Sequence, residues 1–224
     1  MTDRRPFNPL DKRNLAASIA EALLESEPVP LGSIRSFAGS GVYAIYYTGE
    51  HPAYTALADA NREGRWWAPI YVGKAIPKGG RKGVEISAAA DDEDDDMPDL
   101  PKGSPLSGRL KEHAGSIRAA KASLSINDFY CRFLVVEEIW IPLGENLLIS
   151  RFMPVWNKVA DGFGSHTPGK GRFEGMAPRW DVLHPGRPWA LKCKPRPEVQ
   201  ATIESEVAAY LRGRAFQQPA RLFR

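Results

Sequence analysis

Residues 41–48 read GVYAIYYT and residues 68–73 read APIYVG, and the reading of these two stretches decides the fold. The first is dense in β-branched and aromatic residues and is closed by Gly49. The second is short, apolar and ends on a glycine, so both read as strands, the second beside the first. Residues 129–136, FYCRFLVV, read as a third. Helical spacing surrounds them. Residues 11–25 carry Leu15, Ile19, Ala22 and Leu23 behind an Asp11 cap, and the link EPVPLG ends that helix. Residues 52–64 fit a short helix, and residues 105–122 place Leu106, Leu110, His113, Ile117 and Ala120 three and four apart. Another helix follows Pro142 and Gly144, covering residues 145–152 and stopping at Pro154. The last, residues 198–212, has Val199, Ile203, Val207 and Leu211 on one face. The order predicts an α/β (α+β) chain: a small central sheet, antiparallel or mixed, flanked by helices, with N- and C-terminal extensions.

At 224 residues with 43% hydrophobic content the chain can bury one ordinary core, so a single domain over residues 1–224 is expected. No run of about 18 apolar residues exists and the opening MTDRRPFNPLDKRN has no apolar signal segment, so a membrane span is excluded and a cytoplasmic location is expected. Cys131 and Cys193 stand far apart with no CxxC or Cys/His cluster. That excludes a zinc ribbon and a disulfide scaffold, and both read as small buried hydrophobes.

The net charge of +3 hides an uneven distribution. Seven acids fall between Asp91 and Asp99 with no base among them, so the rest of the chain carries +10. Seven like charges repel and bury nothing, so an insertion over residues 78–104 is expected to be disordered and dispensable for catalysis. From Lys158 onward, twelve Lys/Arg face six Asp/Glu. This basic extension, residues 161–224 beyond a core of residues 38–160, is either a phosphate-facing surface or an ordinary solvated basic face.

The two strands hold a Gly-X-Tyr, Gly41 to Tyr43, and a Tyr-X-Gly, Tyr71 to Gly73. Downstream come Lys74, then Arg109 and His113 in RLKEH on one helix face, Glu145 opening the next helix, and Asn157 closing PVWN. Each has an ordinary structural reading. The tyrosines suit a core, Arg109 and His113 a helix surface, Glu145 the positive end of a helix dipole, Asn157 a turn. It is their conjunction, each of a suitable type on a suitable element, that favours a site.

In that conjunction the chain resembles the GIY-YIG nucleases, with Val42 and Val72 in place of the isoleucines that name the family. The resemblance implies a GIY-YIG core, an insertion longer than in minimal members, and metal-dependent phosphodiester hydrolysis. It carries over most directly to Tyr43, Tyr71, Arg109, Glu145 and Asn157, while Lys74 and His113 fall on variable subgroup positions. The chemistry needs an activated water, a cation for the phosphoryl charge, and help for the departing 3′ oxygen. Glu145 is then the ligand for magnesium or another divalent cation such as manganese, which needs few protein ligands. Arg109 clamps the scissile phosphate through its fork of donors. Tyr43 activates the water, its phenol pKa lowered by Lys74 or metal-bound water. Tyr71 and His113 position groups or relay the proton, and Asn157 orients its neighbours.

A narrower similarity, through GVYAIYYTG, PIYVGKA, RLKEH and PVWN, is with type II restriction endonucleases that recognise CCGCGG. It implies double-stranded DNA as partner, a homodimer on a palindrome, and a cognate methyltransferase in the same system without direct contact. The dimer contact is expected from the helix around Leu15, Ile19 and Leu23 or from the loop after Tyr71. The extension then supplies DNA contacts from Lys158, Lys170, Arg172, Arg179, Arg187, Lys192, Lys194 and Arg196, with Trp180 and Trp189 between them. The rival readings are a repair or mobile-element nuclease on the same core and a noncatalytic DNA-binding protein. The common restriction-enzyme motif is excluded, because no lysine has Asp or Glu two residues before it.

Overall fold

The computed structural model describes residues 8–77, 103–165 and 172–216. The disorder expected of the acidic insertion, and Lys170, lie outside these residues. The central strand β2 (Gly41–Tyr47) is buried along its whole length. Tyr43, Ile45 and Tyr47 enter one apolar cluster and Val42, Ala44 and Tyr46 the other, the alternation that a pleated strand imposes. Strands β3 (Tyr71–Ala75) and β4 (Phe129–Val135) flank it, and the short β1 (Val29–Pro30) pairs with the far side of β4. All three pairings are antiparallel, so the fold is α+β.

Helices cover both faces. On the Val42 side lie α1 (Lys12–Glu25) and α4 (Ile141–Phe152). The Asp11 carboxylate caps α1, accepting from Arg13 N at 2.8 Å. A Cβ on Gly144 would stand 2.6 Å from Ile19 Cγ2, so this glycine is where α1 crosses α4 closely. On the Tyr43 side lie α2 (Thr55–Asn61), α3 (Pro105–Ala119), α5 (Val155–Lys158), α6 (Arg179–Leu183) and α7 (Gln200–Arg212). One cluster joins Leu57, Leu106, Trp156, Trp180, Ile203 and Leu211, so the C-terminal extension is packed into the core.

Three differences from the sequence reading affect the site. β3 is shifted toward its C-terminus, because the Asn61 amide takes both the N–H and the carbonyl of Ala68 and withholds that residue from the ladder. Gly73 does not end the strand, and Lys74 is thereby part of the sheet. α4 starts at Ile141, so Glu145 lies in its second turn instead of opening it. Pro142 is tolerated inside because the first turn has no use for its missing N–H. In the extension, α6 interrupts a stretch read as loop, Val199 is exposed, and Ile203, Val207 and Leu211 are buried as their spacing requires. Cys131 is buried and its thiol pushed up to about 12, whereas Cys193 is only half-buried.

The extension is also tied to the core by a buried polar chain. Trp156 Nε1 donates to Tyr54 Oη at 2.9 Å, and Tyr54 Oη is hydrogen-bonded to His184 Nε2 at 2.6 Å. His184 Nδ1 is hydrogen-bonded in turn to Ser123 Oγ at 2.9 Å. Burial pushes His184 down to about 3 from 6.5, and His51 adds to this. A depressed base takes its proton in the unfolded chain first, so stability is complete above about 6.5 and falls as pH drops toward about 3. The expected loss is about 1.4 kcal/mol per pH unit in that window. Urea denaturation at several pH values checks this, and a His184→Gln chain should show a shallower pH slope. An equal slope in both proteins would remove His184 as the cause.

Candidate active site

Antiparallel pairing sets Tyr43 directly opposite Gly73. A Cβ there would stand 2.5 Å from Tyr43 Oη and 2.7 Å from Cζ, so the phenol lies over the glycine and the Tyr-X-Gly motif is explained by the ring across from it. Gly41 is required for a similar reason, since its Cβ would collide with the Leu134 carbonyl. Tyr43 Oη meets His113 Nε2 at 2.6 Å, and the Tyr71 ring lies 6.2 Å from Tyr43 and 5.3 Å from His113. Gly73→Ala should therefore displace the Tyr43 phenol from His113 and slow any reaction that uses it by about 100-fold, with a stability loss of about 1–3 kcal/mol from overpacking. Single-turnover rates beside thermal melts test this, and a variant reacting at the wild-type rate would remove Tyr43 from the chemistry.

His113 and Arg109 share the inner face of α3. His113 is buried and stacked on Phe163, centroids 4.5 Å apart at 19°. Arg109 Nη1 donates to Glu112 Oε2 at 2.9 Å and Nη2 to the Gly164 carbonyl. Both tyrosines are raised above 10.0, chiefly by burial, and the Arg109 guanidinium works against the rise in each. The expectation that Lys74 lowers the Tyr43 pKa needs correction. Adjacent residues on a strand point to opposite faces, so Lys74 leaves Tyr43 and turns to α4. There its Nζ meets Glu145 Oε2 at 2.7 Å. The two halves of the site thus straddle edge strand β3, and Lys74 and Arg109 line one cleft of about 540 Å³.

Asn157 grips β3 from α5: its Oδ1 accepts from Val72 N and its Nδ2 donates to Val72 O, both at 2.9 Å. This fixes the strand between Tyr71 and Gly73, which is an orienting task. Sequence reasoning missed Phe163, Gly164 and Glu112. Spacing gave no signal for the first two, which sit in a Gly-rich turn, whereas Glu112 at three residues from Arg109 was legible as a helix ion pair.

The described residues expected to contact DNA fall into three groups. Lys158, Lys192 and Lys194 are exposed. Arg179 pairs with Glu206, Arg196 pairs with Glu198 at 3.1 Å, and Arg179 also reaches Glu198 at 3.9 Å. Arg187, expected at the DNA surface from its charge, is 3% exposed and locked to Asp181, and Trp180 is fully buried. Both therefore serve the interior. Lys170 and the side chain of Arg172 lie outside the described residues.

Among the described residues no three His, Cys, Asp or Glu side chains come together as a metal cage. Glu145, 15% exposed, is a single hard carboxylate paired with Lys74, which itself lines the cleft. Such a donor suits a magnesium ion that keeps most of its waters and does not suit a multi-carboxylate calcium site. The arrangement can hold an anion at Arg109, hold a cation at Glu145, and pass a proton between Tyr43 and His113.

No helix among the described residues is long and apolar enough to cross a membrane. No curated protein matches the chain closely enough to stand as a relative. The family profile of the Eco29kI GIY-YIG domain, in contrast, matches residues 35–211. That span runs from before the first motif strand to the end of α7, and so takes in the docked extension with the paired tyrosines. A likeness confined to two short strand motifs would leave the extension unaccounted for; one that covers both, on an antiparallel α+β core, shows that the chain belongs to the Eco29kI family of GIY-YIG restriction endonucleases.

Proposed function

We propose that the protein is a type II restriction endonuclease that hydrolyses both strands of double-stranded DNA at a short palindrome, CCGCGG, as a homodimer using magnesium or manganese. The observation that carries this reading is the 2.6 Å contact between Tyr43 and His113 on one side of β3, with Arg109 beside it and Glu145 reached across the strand by Lys74. Family membership supports a restriction enzyme, and the similarity to enzymes reading CCGCGG supports the site. One set of catalytic residues cuts one strand, so a two-fold site calls for two chains.

Arg109 receives the scissile phosphate, its fork held by Glu112 and Gly164. A water oxygen attacks phosphorus in line, its proton passing to Tyr43 as the Tyr43 proton moves to His113 Nε2. The P–O3′ bond breaks and the departing 3′ oxygen takes a proton from solvent water, leaving a 5′ phosphate and a 3′ hydroxyl, while His113 later returns its extra proton to solvent. Because burial raises the Tyr43 pKa, the phenol keeps its proton at rest and yields it to the imidazole it touches, His113. A divalent cation on Glu145 supplies charge stabilisation for the phosphoryl and departing oxygens. Lys158, Lys192 and Lys194 are exposed and supply contacts to the phosphate backbone, a role that Lys170 and Arg172 share by charge. A methyltransferase that protects the same sequence belongs to the system.

Plasmids with and without CCGCGG, incubated with the purified protein in magnesium or in EDTA, test the reading. Linear product from the first plasmid alone, and only with magnesium, is expected. Sequenced ends lacking CCGCGG would sink the specificity, nicks alone would sink the double-strand reaction, and cleavage in EDTA would sink the metal. Light scattering of the protein on a duplex should give two chains, and a monomer would sink the dimer.

A further inference from the structure

The reacting groups are roofed by the turn that follows α5, and that turn is held by arginines. Phe163 stacks on His113 at 4.5 Å and meets the Tyr71 ring edge at 5.0 Å. The Gly164 carbonyl accepts from Arg109, and a Cβ on Gly164 would collide with the Tyr71 hydroxyl. The neighbouring carbonyls go to Arg187: Gly162 at 2.9 Å, Phe163 at 3.0 Å and Ser165 at 3.2 Å. Arg187 is itself fixed from Nε to Asp181 Oδ1 at 2.7 Å and from Nη2 to Oδ2, and its guanidinium lies between the rings of Trp180 and Trp189 at 4.7 and 4.6 Å. Four successive carbonyls are thus assigned to two arginines, one in the site and one behind it.

Stability alone does not account for this arrangement, because a buried ion pair is commonly replaceable by apolar side chains without loss. Burial of Asp181 raises its pKa against the pull of Arg187, the sign of a pair that carries a desolvation cost. What apolar side chains cannot do is hold three carbonyls in one geometry, since five N–H donors in a fixed plane are needed. We propose that Arg187 and Asp181 are positioning residues for cleavage. They act through residues 162–165 to set His113, Tyr71 and Arg109, so that the C-terminal extension controls the rate of the chemical step. This rests on the nuclease reading above.

The test compares Arg187→Lys, the double variant Asp181→Val with Arg187→Met, and Gly164→Ala, which pushes the turn off Tyr71 without touching the ion pair. Melting temperature, duplex affinity, single-turnover cleavage and the His113 ring ¹H–¹⁵N signals are measured on each full-length protein, at a temperature where the wild type is folded. Slowing by about 100-fold is expected in all three, with affinity within about threefold and with the His113 signals moved. The double variant should recover the melting temperature and not the rate. Recovery of both, or Gly164→Ala cutting at the wild-type rate with unmoved His113 signals, would overturn the proposal. If Arg187→Lys does not fold, the other two variants decide it. A wild type that cuts no DNA would defeat the nuclease reading instead, and the His113 signals would still report whether the pair sets the site.

Discussion

Glu145→Gln should reduce strand cleavage by about a thousandfold and leave duplex affinity intact or slightly tighter. The carboxylate is the hard oxygen donor opposite Lys74, and on the reading proposed above its loss removes the cation it would hold and stabilisation worth about 4 kcal/mol in the transition state. On the same reading, docking rests on basic side chains and does not need it. Removing its charge also releases the Lys74 ammonium, now held at 2.7 Å, toward the cleft it lines. One further cation facing the backbone should steepen the dependence of log affinity on log salt by up to about 0.9. Gel shifts over a salt series beside plasmid cleavage give both readouts. A variant that still cuts near the wild-type rate would take Glu145 out of the site, and unchanged salt dependence would place Lys74 away from DNA.

Arg109→Lys keeps the charge and should still lose about 100-fold in single-turnover cleavage. Arg109 is tied to Glu112 through one terminal nitrogen and to the Gly164 carbonyl through the other, so its plane is set before any phosphate arrives. Its five N–H donors let one side chain meet its scaffold and an anion together. A lysine ammonium has three donors on a flexible stem and cannot hold both contacts while meeting a phosphate through two bonds. Single-turnover rates on oligonucleotide duplexes test this. A lysine variant retaining most of the activity would reduce Arg109 to a surface charge.

The motif strands, the helix carrying Arg109 and His113, and the order of site residues were legible in the sequence because they depend on local periodicity. β2 is apolar on both faces and α3 repeats at three and four, and such patterns survive any tertiary arrangement. The pairing of Tyr43 with Gly73, by contrast, is a matter of register. Only the partner strand sets it, and one residue of slip would have sent Lys74 to Tyr43 and Gly73 to α4. The same physics placed Lys74 on Glu145, against its expected task. In the extension, charge suggested a surface, yet Arg187 and Trp180 went inside. A buried carboxylate, the carbonyls of residues 162, 163 and 165 and an apolar cluster received them. Composition records that an arginine is charged; whether its partner is a phosphate or the chain's own backbone is decided by what folding brings within about 3 Å of it.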